Sequence, residues 1–321
     1  MNIVRYSEHD ALRWDRFVQD SKNGTFLFLR HYMDYHRDRF TDHSLIIEDT
    51  KGRILALIPA NQTFIDNKRI FFSHQGLTYG GLILSNKTKV VEVLEMFNLS
   101  IEYLKRQGFS AWYYKQIPTI YHMFPAEEDT YALWKQNADL SSCLISATIA
   151  LTPEHQTISA EPERKRGRNH ALQENYKIVE SSDPELFWPI MEKNLMAKYS
   201  AKPVHTLSEM KLLMTNFPQN IKCFLAVKDN IPQAGAIVYL ANRRTAHLQY
   251  CHATEVGKKD RVIDFLYIHL TEYLQQQGYQ YFDLGTSNED GGHYLNQSLI
   301  AHKQSFGARG IAYNTYRINL E

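Results

Sequence analysis

The chain's 321 residues are 44% hydrophobic and 22% charged, enough for two buried cores at roughly 150 residues per domain. Its 36 Lys and Arg against 35 Asp and Glu leave a formal charge of +1, which argues against a protein that grips nucleic acid by neutralising many phosphates. Three scattered cysteines, Cys143, Cys223 and Cys251, argue against a disulfide framework or a zinc site, and neither a leader nor a run of ~20 apolar residues is present, so a cytoplasmic protein without a membrane span is expected.

In chain order, residues 3–6 read as a short opening strand, and Ser7 caps a helix through about Asp20 with Leu12, Trp14, Phe17 and Val18 as its apolar face. A second helix is expected over 29–39. Two apolar runs, 44–48 and 54–59, flank the turn Asp49-Thr50-Lys51-Gly52 and predict a hairpin. A strand over 68–73 leads into 74–81, where Gly76, Gly80 and Gly81 let the backbone come close to something. From Val90 a helix presents Val90, Leu94, Phe97, Ile101 and Leu104 at helical spacing, ends at Gly108, and delivers a strand over 109–115.

The second half repeats this order. Residues 187–199 and 207–217 read as helices, the latter capped by Thr206 or Ser208. Strands over 223–228 and 234–240 flank a turn at Asp229-Asn230, and another strand covers 246–253. A polar loop over 255–261 precedes a helix carrying Ile263, Leu266, Leu270 and Leu274, which stops at Gly278 and delivers the strand 279–284. Self-similarity at half the chain length indicates a duplicated domain, because the units of a solenoid are much shorter. Between the halves, 152–168 is rich in Pro, Glu and His and then turns basic at 164–168. It reads either as a solvated linker or as a phosphate-facing patch.

The most informative stretch is 279–310. An apolar strand there surfaces in a polar loop, 285–292, and ligands of open α/β sheets sit at the carboxyl ends of strands. Upstream, a helix N-terminus with Lys258, Lys259 and Arg261 suits an anionic cofactor. If two neighbouring parallel strands splay apart above that loop, a pantetheine arm fits between them, which is the layout of acyl transfer from coenzyme A.

Four segments, SHQGLTYGG at 73–81, IYHMFPAEEDTYALW at 120–134, KRGRNHALQENYKIVES at 165–181 and FDLGTSNEDGGHYLNQSLIAHKQSFGARG from Phe282, carry a resemblance over nearly the whole chain. The sequence resembles the double-domain, Fem-like branch of the GNAT acyltransferase superfamily, which also holds the peptidoglycan-bridge aminoacyltransferases. It is most similar in wording to bacterial enzymes that acylate a dTDP-linked 3-amino-3,6-dideoxyhexose for surface polysaccharide such as O-antigen, some with a 3-hydroxybutanoyl donor. The resemblance implies an α/β (α+β) fold of two tandem GNAT-like domains, each a mixed, partly parallel sheet flanked by helices. Residues 1–150 would form the first domain, an acceptor pocket or scaffold, and 151–321 the second, for acyl-CoA binding and catalysis. It also implies small-molecule substrates, a CoA thioester and a nucleotide-linked amino sugar. One departure stands out. The family's pyrophosphate loop reads Gln or Arg, two residues, Gly, one residue, Gly or Ala, whereas this chain offers only Gly257 there.

The chemistry needs an amine deprotonated, a thioester carbonyl polarised and a thiolate released, with no metal. Asp283 and Glu289 are candidates for the base or for orienting the amine, and His252 should lie near the thioester if Gln249 and Tyr250 line the splay. Gly257, Lys258, Lys259 and Arg261 would hold the cofactor. Ser287, Asn288, Tyr294, Asn296 and Lys303, with Arg309, follow the strand and suit a diphosphate or a developing charge. In the first half Tyr79 and Tyr121 are candidates for the acceptor pocket. Cys251 reads as a small strand residue, His122 with Glu127 and Glu128 as the start of a helix, and Trp134 as core. Two other functions fit the same residues: an aminoacyl-tRNA-dependent peptidoglycan-precursor ligase, and a non-catalytic binding module.

Overall fold

The structure, a computed structural model, describes residues 1–152 and 159–321. The chain forms two units, residues 1–144 with 312–321, and residues 145–311. No helix among the described residues is long and apolar enough to cross a membrane.

In unit 1, β1 (Asn2–Arg5) precedes α1 (Ala11–Asp20), which follows a single 3-10 turn capped by Ser7. Trp14 and Val18 are buried at i, i+4 spacing, but Leu12 is 88% exposed, because two residues before Trp14 the helix faces the other way. The helix expected over 29–39 is only α2 (Arg30–Met33) and one 3-10 turn, since buried Arg30 ties the segment down through Asp34 and Asp42. Then come β2 (Thr41–Asp42), β3 (Leu45–Glu48), β4 (Ile54–Ile58), β5 (Asn61–Ile65), β6 (Lys68–Ser73) and β7 (Ile83–Leu84). β3 and β4 form the expected hairpin. A second hairpin, β5 with β6, turns on Asp66 and Asn67, both at positive φ.

Next, α3 (Val90–Arg106) crosses over to β8 (Ala111–Lys115), which pairs in parallel with β6 from Ile70↔Ala111 to Ser73↔Tyr114. The glycines of 74–81 do allow a close approach, and what approaches is the unit's own strand. Gly80 N donates to Lys115 O at 3.0 Å, and a Cβ on Gly80 would lie 2.1 Å from Ser73 O. Phe71, Phe97, Trp112 and Tyr114 centre the core. α4 (Glu128–Lys135) starts where Glu127 and Glu128 predict, but it buries Ala132 and Leu133 and leaves Trp134 70% exposed, stacked on Tyr131, so Trp134 is not core. β9 (Asp139–Ala150) runs from unit 1 into unit 2.

In unit 2 the linker reading holds only in part. Residues 153–158 lie outside the described residues, but α5 (Pro162–Gln173) is a helix with Pro near its start. Two members of its basic run are paired within the unit, Arg164 with Asp264 at 3.2 Å and Arg168 with Glu272 at 2.9 Å, while Lys165 and Arg166 are exposed. The segment from 162 is therefore a helix docked on its unit and not a solvated linker. β10 (Lys177–Ser181), α6 (Trp188–Tyr199), α7 (Leu207–Asn216), β11 (Ile221–Lys228), β12 (Ile231–Leu240) and β13 (Thr245–Ala253) follow. After them come α8 (Glu255–Lys259), α9 (Val262–Gln276), β14 (Tyr281–Thr286), β15 (Asn288–Glu289), β16 (Tyr294–Leu295), α10 (Gln297–Gln304) and β17 (Arg309–Asn319), whose end belongs to unit 1. The unit's sheet runs β10-β11-β12-β13-β14-β9, and β13 with β14 is its parallel pair. α9 buries Val262, Leu266, Leu270 and Leu274 against it, closing the core with Phe282.

Candidate active site

The parallel ladder between β13 and β14 is short. It pairs Thr245↔Tyr281, Ala246↔Phe282 and His247↔Asp283, and then stops, although β13 continues to Ala253 and β14 to Thr286. At the same level both strands lose register with their outer neighbours, β13 with β12 around Gln249 and β14 with β9 between Asp283 and Thr286. Bulges at one level on both strands re-aim the side chains on either side of the parting. The parting is the splay expected from the sequence.

Register also sets the chemistry beside it. His247, Asp283 and Thr148 lie opposite one another on β13, β14 and β9. Asp283, fully buried, accepts from Ser146 Oγ, from Thr148 Oγ1 at 3.0 Å and from His247 Nδ1 at 2.7 Å. An acceptor-only carboxylate on Nδ1 places the ring proton there and leaves Nε2 as the basic nitrogen. Beyond Asp283, Gly285 takes φ +79, and a Cβ built on it would lie 3.6 Å from His247 Cε1 and 4.0 Å from both Leu248 O and Lys303 Nζ. These three groups therefore border one small gap at the mouth of the splay.

Lys303, 6% exposed on α10, donates to Gly285 O at 2.7 Å and Thr286 O at 2.8 Å. Its third N–H has no partner among the described residues. Burial pushes its pKa down to about 8, against the opposing pull of the Asp283 charge. A cation held this way, with one donor to spare, is suited to charge that develops on an oxygen in the gap.

The other sequence candidates fall into three groups. Tyr250 bonds His205 Nδ1 at 2.7 Å, with burial raising its pKa to about 12, and His252 stacks near Phe187. Burial first, then Lys258 and Lys198, lower His252 to about 4, so it is neutral at pH 7. Gln249 is the extra residue of the bulge. Glu289 is exposed, and its carboxylate accepts from Asn296 Nδ2 at 3.3 Å.

In the loop expected to cradle a pyrophosphate, several amides are bonded locally. Gly257 N donates to Thr254 Oγ1, Lys258 N to Thr254 O, Asp260 N to Val256 O, Arg261 N to Lys258 O and Asp264 N to Arg261 O. Gly257 is glycine because a Cβ would lie 2.4 Å from Gln233 O. Lys258 pairs with Glu255 at 2.6 Å, and Arg261 with Asp264 and Glu163, while Lys259 is exposed.

Past the strand, Asn288 Oδ1 accepts from Ile145 N at 2.6 Å and Asn296 caps α10, so both build the loop. Arg309 donates to Ala308 O. Tyr294 is 57% exposed, and Ser287 Oγ is buried without a partner among the described residues. In unit 1 Tyr79 and Tyr121 are buried against each other, and Tyr121 Oη lies 2.9 Å from Tyr313 Oη. His247 is the residue that sequence reasoning missed. Its one signal was its place at the start of a strand expected to pair in parallel with the strand holding Asp283.

No family model and no curated protein matches the sequence. Among solved structures, the chain is similar to the crystal structure of FemX, with a TM-score of 0.74 at 10% identity over 99% of this chain and 97% of that one. It is similar to the C-terminal domain of a putative lysylphosphatidylglycerol synthetase from Agrobacterium fabrum, at 0.63 and 12% over 97% and 92%. A tandem GNAT protein from the clavulanic acid biosynthesis pathway matches at 0.54 and 12% over 100% and 98%. At such identities the likeness defines the fold. The chain is a mixed α/β protein with a tandem GNAT fold, shared with FemX and with the tandem GNAT protein.

Proposed function

We propose that unit 2 catalyses N-acyl transfer in the splay between β13 and β14. The observation that carries this reading is the gap bordered by His247, Leu248 O and Lys303 exactly where the parallel ladder ends. An amine nitrogen attacks the carbonyl carbon of an activated acyl donor, and its proton passes to His247 Nε2. The third N–H of Lys303 stabilises the oxyanion. Collapse forms the amide and breaks the bond to the leaving thiolate or alkoxide, which takes the proton from His247. Asp283 holds the His247 ring without touching substrate, which makes it a positioning residue.

Two donors fit. A CoA thioester, passed to a nucleotide-linked and specifically dTDP-linked amino sugar for surface polysaccharide, follows from the wording of 282–310 and from the open splay. An aminoacyl ester on tRNA, passed to a peptidoglycan-precursor amine, is favoured by the pyrophosphate loop, where the amides of Gly257, Lys258, Asp260 and Arg261 are bonded within the loop. The halves proposed from the sequence keep their roles under either donor, 151–321 for catalysis and 1–150 for support or the acceptor, and both reactions belong in the cytoplasm. The test is a pair of assays on the whole chain: thiol release from acetyl-CoA and 3-hydroxybutanoyl-CoA with dTDP-amino sugars, and transfer of labelled amino acid from aminoacyl-tRNA to precursor peptides. Turnover in one arm selects the donor. A folded protein silent in both overturns the reading.

A further inference from the structure

Within unit 2, β9 alternates as Ile145-Ser146-Ala147-Thr148-Ile149. Ala147 and Ile149 belong to the core that α9 closes, and Ile145 packs against it, as the two faces of a strand require. The other face is nearly as dry, since Ser146 is 0% and Thr148 5% exposed, yet it carries two hydroxyls. A hydroxyl taken out of water needs a partner. Both of these donate to the same one, Asp283. Nothing in the acyl-transfer step uses them directly.

Register lets two residues of one strand reach one carboxylate. Thr148 lies opposite Asp283 and Ser146 opposite Thr286, so β14 advances three residues where β9 advances two. The surplus residue makes a bulge, with Gly285 in it at φ +79. On the carboxylate the bonds are divided. Oδ1 accepts from the Ser146 hydroxyl, from Thr148 Oγ1 at 3.0 Å and from Gly285 N at 3.4 Å, whereas Oδ2 accepts from His247 Nδ1 at 2.7 Å. The last torsion of an aspartate is soft and broadly two-fold, so something must decide which oxygen meets the imidazole and at what angle. Two hydroxyls fixed on a neighbouring strand do so. They also favour the ionised carboxylate, the acceptor-only form that suits several donors at once.

We infer that Ser146 and Thr148 are positioning residues for the acyl transfer: by holding Oδ1 of Asp283 they turn Oδ2 to His247 Nδ1–H, keep the ring proton there, and so keep Nε2 basic toward the amine. The inference rests on the acyltransferase reading of unit 2 and adds to it the groups that set the state of the base.

The test follows the ring nitrogens of His247 by NMR on the whole chain with isotope-labelled histidine, the signal being assigned with His247→Gln. Wild type is compared with Ser146→Ala/Thr148→Val, with Thr148→Val and Thr148→Ser alone, and with Ser141→Ala, an exposed serine of the same strand, as the hydroxyl control. Circular dichroism checks that each folds. In wild type the neutral ring should carry its proton on Nδ1. In the double variant the signal should move toward the Nε2–H tautomer, with kcat lower by about tenfold or more and donor KM within about twofold of wild type. Thr148→Val should go part of the way, Thr148→Ser should keep the wild-type readings, and Ser141→Ala should change neither. If the double variant does not fold, the Val and Ser variants at 148 decide the matter alone. An unchanged ring signal in folded variants that lack the hydroxyl overturns the inference, and so does an equal loss in Thr148→Val and Thr148→Ser. Failure of the two readings is told apart by turnover. Normal kcat and ring signal in the double variant remove the hydroxyls and leave the acyltransferase, whereas a hydroxyl-dependent ring signal with no turnover on any donor removes the acyltransferase and leaves the hydroxyls as what sets the tautomer.

Discussion

Both units contain a parallel strand pair joined by a crossover helix, β6–α3–β8 in unit 1 and β13–α9–β14 in unit 2, and the two end differently. In unit 1 the ladder runs four pairs to the end of β6, and the chain then folds back over it. Gly80 N bonds Lys115 O, Leu82 N bonds Tyr114 Oη, and Lys115 Nζ holds His74 O and Leu77 O. In unit 2 the ladder stops after three pairs, bulges flank the stop, and a lysine from another element, Lys303, sits at the opening with a donor to spare. Burial pushes both lysines down to about 8. The same motif is therefore covered by its own loop in one case, and in the other it parts beside a small gap bordered by His247 and Lys303.

The sharpest way to break this contrast is to remove each lysine in turn. Lys303→Met should lower kcat by about 100- to 1,000-fold, the scale of one lost oxyanion donor. Lys115→Met should leave kcat nearly intact and instead cost about 1–3 kcal/mol of stability, as two carbonyls lose their donor. Both are read by steady-state kinetics beside chemical denaturation, and equal catalytic losses would erase the distinction between the units. Next in size, Asp283→Asn should lower turnover by about 100-fold with little change in donor KM, because it disturbs the His247 tautomer and not the binding surface. A near-wild-type rate would remove the dyad from the mechanism.

Gly80→Ala tests the covered pair directly. A Cβ 2.1 Å from Ser73 O forces the covering loop off the strand, and a loss of about 1–3 kcal/mol in a urea melt is expected, with the kinetics of the folded protein retained. The pH profile sharpens the parted pair. Lys303 must be charged to stabilise an oxyanion, so activity should fall as pH rises through about 8, and Lys303→Arg should move that limb upward. Stability runs the other way. The folded value lies below the ordinary 10.5, so the charged ammonium penalises the folded state fully below about 8, and the penalty fades as pH rises toward 10.5. The smallest effect belongs to the Lys258→Ala/Lys259→Ala pair. It should weaken donor binding about threefold, since Lys258 is already shared with Glu255 and both lysines are exposed. Unchanged affinity would move the donor elsewhere.

Much of the architecture was legible locally. Hydrophobic period, caps and punctuating residues placed β3, β4, β6, α3, α7, α9 and the Asp229-Asn230 turn within a few residues, because each depends on neighbours in the chain. β5 escaped because NQTFI carries little apolar alternation, and α5 because its charges read as a solvated run although Arg164 and Arg168 pair across to α9. Within the site, Asp283 and Lys303 were singled out by their place around a polar loop. What surrounds them was not legible, since Asp283 is fully buried and accepts from Ser146, Thr148 and His247, groups that lie far from it in the chain.

By itself the sequence determined that the chain is a duplicated α/β protein and that the strand holding Asp283 surfaces in a polar, glycine-bearing loop, because periodicity, caps and turn residues act over a few positions. Only the tertiary structure decided which histidine faces Asp283, that one parallel pair is covered by its loop while the other parts after three pairs, and that several amides of the expected phosphate loop are bonded within it. Those facts depend on register between strands and on which distant group reaches a buried donor or acceptor first. A one-residue slip of β13 would put Leu248 where His247 stands, and no local pattern records it.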